Sequence, residues 1–348
     1  MAYTTIKKSS DYFNTVIYSG NNTTGRGITG VSFAPDFLWL KERTNDVGSH
    51  FLVDNVRTQT GTGGGWLQSN ATDSATVDTN VITSLDSDGF TVGNDDDTNG
   101  SGDTYVGWNW KANGAGSANT DGSISSTVSA SATSGFSIVS YTGRGANATV
   151  GHGLGVAPKI VLVKRRSQAS NWCMYNENVG NTKALYLNND TTGATSSTFW
   201  NNTTPTSSVF TVGSDAATNG SGDTQIAYCF ADVQGYSKVG GSYTGNGNAD
   251  GTFVYTGFKP AFVMIKRTDS TGSWPIEDSA RSPSNSSMQV LYSNLSNAEE
   301  TLNPYFDLLS NGFKIRGTST FINASGGSYI YMAFAEEPLV GDNPATAR

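Results

Sequence analysis

The stretch "NGSGDTYVGWNW" (Asn99–Trp110) is written almost unchanged at Asn219–Phe230 as "NGSGDTQIAYCF". A third version, "NASGGSYIYMAF", stands at Asn323–Phe334. Two further landmarks recur in the same order. One is "YSGN" at Tyr18, "YTGR" at Tyr141 and "YTGN" at Tyr243. The other is "FAPDFLWLKER" from Phe33, "VAPKIVLVKRR" from Val156 and "FKPAFVMIKRT" from Phe258. The interval from Tyr18 to Pro35 equals those from Tyr141 to Pro158 and from Tyr243 to Pro260. A register kept three times marks tandem units of about 100 residues, an ordinary domain size. The asparagine–glycine phrase is then the closing strand of each unit.

Composition points to β structure. Only 14% of residues are charged, 41 are Gly, and 7 Trp, 15 Tyr and 16 Phe supply large buried areas. Long surface helices use Glu, Lys, Ala and Leu instead. The proline-led runs are nearly continuous in apolar residues, as in strands buried on both faces. In the closing phrase Val106, Trp108 and Trp110 alternate with Tyr105, Gly107 and Asn109, predicting a half-buried strand. Trp108, Tyr228 and Met332 are its equivalent core positions. "GFTVG" and "YVGWNW" read as a hairpin across a glycine turn. The expected fold is all-β: three tandem β-sandwich (jelly-roll or concanavalin-like) repeats at 1–112, 135–234 and 235–338. A polar linker at 113–134, with one weak strand in "SISSTVSAS", and a tail at 339–348 complete the chain. A short helix is expected from Ser296, with Ser296 and Glu299 as a capping box and Pro304 as its end.

Chemistry is sparse. The net charge of −8 and the lack of a basic stripe argue against nucleic acid; "VKRR" (Val163–Arg166) reads as a solvated strand end. No run approaches the ~18 apolar residues of a membrane span, and the N-terminus lacks an apolar signal core. Cys173 and Cys229 are too few for a disulfide scaffold and read as buried thiols. The two histidines, His50 and His152, lie at non-equivalent places and suggest no triad or zinc site. "DDDTNG" (Asp95–Gly100) starts like a calcium loop, but Val106 stands where the closing Glu belongs; Asp95, Asp97 and Asp103 are a single-unit candidate beside the simpler reading as an acidic turn. Glu299/Glu300 and Glu336/Glu337 are adjacent, exposed-looking pairs rather than a glycosidase dyad. Lys41, Lys164 and Lys266 recur at the basic end of the proline strands and suit a structural role. Trp66, Trp172, Trp200 and Trp274 are either core residues or sugar-stacking platforms. No catalytic, cofactor-binding or metal-ligating residue is assigned, no cofactor is expected, and the ligand-binding loops stay unassigned.

The phrases "GFSIVSYTGRGANATVGHGLGVAPKIVLVKRR", "SSVFTVGSDAATNGSGDTQIAYCF", "YTGNGNADGTFVYTGFKPAFVMIKRTDSTGSWPI" and "GGSYIYMAFAEEP" resemble a family of tailed-bacteriophage proteins frequent in marine phages, usually left as a domain of unknown function or labelled tail-fibre-like. The resemblance covers nearly the whole chain. It implies a non-enzymatic virion structural protein, made in the bacterial host cytoplasm, released by lysis and exposed on the particle surface. A tail-fibre or receptor-binding adhesin contacting the host surface is the first expectation. A capsid decoration or head-fibre protein is the alternative, and a glycan depolymerase ranks last. Implied partners are other virion proteins of tail or capsid, further copies of the chain, for example as a trimer, and a host-surface glycan.

Overall fold

The structure is a computed structural model; it describes residues 4–45, 47–57, 65–78, 80–341 and 344–345, without the side chains of 287–288 and 302–304. The chain is all-β, with 44% strand and 6% helix. Residues up to 112 form β1 (Phe13–Ser19), β2 (Arg26–Thr29), β3 (Phe37–Glu42), β4 (His50–Asp54), β5 (Ile82–Asp86), β6 (Gly89–Val92) and β7 (Thr104–Trp110). Next come β8 (Ser117–Asn119) and β9 (Ser126–Ser131). The second segment holds β10 (Phe136–Thr142), β11 (Ala148–Gly151), β12 (Ile160–Arg165), β13 (Trp172–Asn176), β14 (Lys183–Tyr186), β15 (Ala194–Thr195), β16 (Val209–Val212) and β17 (Thr224–Phe230). The third holds β18 (Ser237–Thr244), β19 (Phe253–Tyr255), β20 (Phe258–Arg267), β21 (Pro275–Asp278), β22 (Ser287–Tyr292), β23 (Glu300–Leu309), β24 (Gly312–Ile315) and β25 (Ser328–Pro338).

The same strand order appears in each segment. It runs β1-β7-β3-β4, then β10-β17-β12-β13, then β18-β25-β20-β21. Register agrees too: Trp39 pairs with Trp108, Leu162 with Tyr228, and Met264 with Met332. The closing strand is therefore the second strand of this repeated four-strand order, held between the tyrosine strand and the proline strand. A second layer covers the outer face: β2-β6-β5 in the first segment, β11-β16 in the second, and β23-β24-β19 at the far end of the third sheet.

Alternation along the closing strand divides two cores rather than core from solvent. Trp108, Tyr228 and Met332 join one cluster that draws on all three segments. The last residues of the closing strands meet there, with Trp110 and Phe334 rings 5.5 Å apart and Phe230 and Phe334 rings 6.0 Å apart. The opposite faces pack under the outer layers in three separate clusters. The expected half-buried strand is thus buried on both faces, from Tyr105 through Trp110. No hairpin joins "GFTVG" to "YVGWNW": β6 pairs with β2 and β5, β7 with β1 and β3. The chain crosses between layers through a helical turn, α1 (Asp96–Asn99), with counterparts α3 (Ala216–Asn219) and α4 (Thr320–Asn323). The remaining turn, α2, is Ser197–Trp200.

Other expectations need correction. The segment from Ser296 forms no helix; Glu300–Leu309 is strand β23, because pairing with β22 and β24 outweighs the local capping signal. The 113–134 stretch contributes two strands, and β9 extends the second sheet beside β10. Pro35 and Pro158 precede their strands, whereas Pro260 lies inside β20 at a break in register, where a missing N–H is tolerated. Of the 339–348 tail, 342–343 and 346–348 lie outside the described residues.

Candidate functional site

The turn that writes the repeated phrase is a latch. Asp95, Asp215 and Ser319 each cap their helical turn through the side chain. Asn99, Asn219 and Asn323 are fully buried. Asn219 Nδ2 donates to Ala146 O and Gly213 O, both at 2.6 Å, and its Oδ1 accepts the Arg144 N–H. Asn99 and Asn323 repeat the pattern. The first-landmark tyrosines close it: Tyr18, Tyr141 and Tyr243 donate to Thr98 O, Thr218 O and Ile322 O. Behind each tyrosine a glycine is required, because a Cβ on Gly143 would stand 2.3 Å from Gly220 O. Replacing Asn219 by Ala leaves two carbonyls without donors. We expect a loss of about 2 kcal/mol, read by urea unfolding; an unchanged midpoint would show that the latch carries no stability.

The recurring lysines bridge segments. Lys164 Nζ donates to Thr72 O (2.8 Å) and Ser170 O (2.6 Å). Lys266 Nζ donates to Asp190 O (2.8 Å) and Gly272 O (2.6 Å), and Lys41 Nζ to Glu42 O (2.5 Å) and Ser296 O (3.2 Å). Each therefore reaches a neighbouring segment: first to third, second to first, third to second. Burial pushes Lys164 and Lys266 down to about 8. "VKRR" is accordingly no solvated end: Lys164 is buried and Arg165 pairs with Asp223 at 2.6 Å.

Aromatic and imidazole groups follow the same ring. Trp172 Nε1 donates to Gln68 O (2.7 Å), and Trp274 Nε1 to Tyr186 O and Asn189 O (3.1 Å each). His50, at the equivalent place in the first segment, lies 2.9 Å from Tyr292 O through Nε2. Trp39 Nε1 donates to its Nδ1 at 2.8 Å, which sets the proton on Nε2. Burial lowers the His50 pKa well below its usual value, so the ring stays neutral. Trp172, Trp200 and Trp274 are buried, and Trp66 stacks edge-on against Phe51 at 4.9 Å. The indole faces of Trp172, Trp200 and Trp274 are packing surfaces, and Trp66 is half-buried.

Two buried ion pairs went unread in the sequence, although "DNVR" and "DSAR" carry the same spacing. Asp54 pairs with Arg57 and accepts the Tyr228 hydroxyl at 2.7 Å. Asp278 pairs with Arg281 at 2.5 Å and accepts Trp108 Nε1 at 2.9 Å. These cross-links again join second to first and first to third. At the third seam Met332 offers no donor, Asn176 replaces the Asp, and its Nδ2 has no hydrogen-bond partner. Glu299 is not exposed: its carboxylate binds Arg43 (2.7 Å) and Arg281 (2.8 Å). Glu300 accepts the Tyr292 hydroxyl, and Glu336 pairs with Lys259.

Asp95, Asp97 and Asp103 do not assemble into a metal cradle. Asp95 is spent on its cap, and Asp103 accepts Asn45 Nδ2. Burial and neighbouring carboxylates raise the pKa values of Asp95 and Asp97. Among the described residues no cluster of three or more His, Cys, Asp or Glu could hold a metal. His152 is buried, with Nδ1 accepting the Leu154 N–H and Nε2 near Thr206 O. Cys173 and Cys229 are free and buried, and burial raises both thiols, Cys229 to about 12. No helix among the described residues is long and apolar enough to cross a membrane.

An accessible hollow lies on the third segment. An open depression of about 420 Å³ is lined by Asn285, Ser286, Asp307 and Arg316. It sits on the outer layer, where Asp307 faces Lys314 and Lys314 faces Phe253 in register. A family model described as a domain of unknown function (DUF7483) matches residues 8–338. The chain belongs to the DUF7483 family. Its matched region runs from the first turn to the last strand, so the latches and all three seams fall inside the DUF7483 match. No curated protein matches the sequence.

Proposed function

We propose that this chain is a non-enzymatic structural protein of a tailed-phage virion, exposed on the particle surface and contacting the host as a tail-fibre or receptor-binding adhesin. Its body would be three tandem β-sandwich repeats of the jelly-roll or concanavalin-like kind, a reading supported by the matching strand order and register. The observation that carries the functional reading is how the chemically capable groups are used. The recurring lysines, His50 and the Asp–Arg pairs are buried and engaged in holding the segments together, while His152, Cys173 and Cys229 are buried within the second segment. Chemistry is thereby confined to a surface of loops and outer strands, as a binding protein requires. The glutamate pair at Glu299 and Glu300 gives no acid dyad, since Glu299 is committed to two arginines.

A second reading, a capsid decoration or head-fibre protein, is favoured by the single compact body: three sheets share one core, and no fibrous shaft extends from it among the described residues. Gold-labelled antibody on intact particles of the source phage separates the two, with copy number from quantitative mass spectrometry. Tail-end label at few copies supports the adhesin. Label across the head at hundreds of copies supports decoration. Unlabelled particles would remove the virion assignment altogether.

A further inference from the structure

The outer layers of the three segments are not equivalent at their edge strands. In β19, Val254 points inward and is buried, while Phe253 and Tyr255 are 43% and 57% exposed. Aligned on the buried pairs Ile28–Phe90, Val150–Phe210 and Val254–Phe313, the corresponding positions are Gly27 and Thr29 in β2, and Thr149 and Gly151 in β11. The fold therefore asks for no ring at either place, and two exposed aromatics on one edge strand need another reason. In the second segment this edge is covered: Ile124 bridges Val150, and Asn119 lies against Gly151. In the third it carries the two rings instead.

Phe253 and Tyr255 are two residues apart on a strand, so their side chains leave the same face about 7 Å apart. Opposite Tyr255 stands Gly312, where a Cβ would meet Val254 O at 2.1 Å, so glycine lets the two strands approach beside the ring. Opposite Phe253 stands Lys314, and beyond it Asp307, which with Arg316 lines the 420 Å³ depression. The charges there balance. Lys314 pairs with Asp250 at 2.9 Å, and Arg316 with Asp307 at 2.5 Å. A balanced set of carboxylates and cations favours an uncharged ligand rich in hydroxyls, because a net charge would meet its like as often as its opposite. Two exposed ring faces favour a ligand with an apolar face. A sugar ring combines the two properties.

From this juxtaposition we infer that the outer face of β19–β24–β23 is a carbohydrate-binding site for neutral pyranose chains. Phe253 and Tyr255 are its stacking platform, and Asp307, Arg316 and Lys314 its hydroxyl partners. The inference deepens the adhesin reading by naming the ligand class and the face, and it stands on the geometry of the third segment. Native affinity electrophoresis of the full chain tests it, in gels containing a neutral glucan, mannan or galactan, with alginate as the anionic comparison. At least one neutral polymer should retard the chain. Combined Phe253→Ala and Tyr255→Ala replacement should weaken that retardation at least tenfold, while Ile17→Ala, an exposed apolar residue elsewhere, should leave it unchanged. The double variant should unfold thermally like the parent, since neither ring is core. Retardation by alginate alone, by none of the polymers, or equally in the double variant would overturn the site. Particle labelling is independent of this result. A labelled tail with ring-independent binding would sink the site and leave the adhesin reading, and unlabelled particles with ring-dependent binding would do the reverse.

Discussion

Asp278→Ala is expected to destabilise the chain by about 3–5 kcal/mol, the cost of leaving one partner of a buried ion pair uncompensated. Both members of the Asp278–Arg281 pair are fully buried. The carboxylate also accepts Trp108 Nε1 from the first segment and the backbone N–H groups of Ala280 and Arg281. Its removal therefore leaves an indole and two amides without an acceptor and takes one of two carboxylates from the buried guanidinium. Glu299 still holds Arg281 from the other side, so adding Glu299→Gln should deepen the loss. Replacing both charges together, as Asp278→Leu with Arg281→Met, should recover the share owed to the uncompensated guanidinium, because an apolar pair carries no desolvation penalty, while the indole and the two amides still lack their acceptor. Urea unfolding reads all of these as shifts of midpoint at constant slope. A loss below about 1 kcal/mol for Asp278→Ala, the range of an exposed pair, would mean that water reaches the guanidinium and that this seam is no buried joint.

That seam also marks where the sequence was legible. Strand positions followed from the repeated phrase, and the two-sided burial of the proline strands from their unbroken apolar runs. The inward rows Trp108, Tyr228 and Met332 were readable from period two. The outward row was not: Tyr105 and Asn109 look like surface residues until the outer layer that covers them is known. Local pattern also misjudged the Ser296 segment, where a capping signal of a few residues competes with strand pairing on both sides. The lysines were recognisable as structural by recurrence. Their partners were not, since Thr72, Asp190 and Ser296 contribute only carbonyl oxygens, which every residue has. Phe253 and Tyr255 were visible in "TFVYTG" as an alternation. Only comparison of the three edge strands in space shows that rings there are a departure from the fold's own requirement.

The buried lysines make a second large effect, in pH. Lys164 and Lys266 are held to about 8 in the folded chain, against about 10.4 in an unfolded one. Between these values the unfolded state binds more protons than the native state, so stability rises with pH. The native cost of burying the two ammonium groups is present in full below pH 8 and is relieved as pH climbs towards 10. A tenfold change in a protonation equilibrium is worth about 1.4 kcal/mol, and with partial solvent access each lysine should contribute about 1–2 kcal/mol to the rise. Above pH 10 the sign reverses. Burial raises the pKa values of Tyr141, Tyr228 and Tyr236, and takes Tyr186 to about 12, so there the unfolded state loses protons that the native state keeps. Maximum stability should therefore lie near pH 9–10, above the usual range of about pH 5–8. Lys164→Met with Lys266→Met should flatten the rise between pH 8 and 10 while leaving the alkaline fall in place. A parent stability that is level or falling from pH 8 to 10 would show that both amines stay charged in the fold, their carbonyl acceptors offsetting the cost of burial.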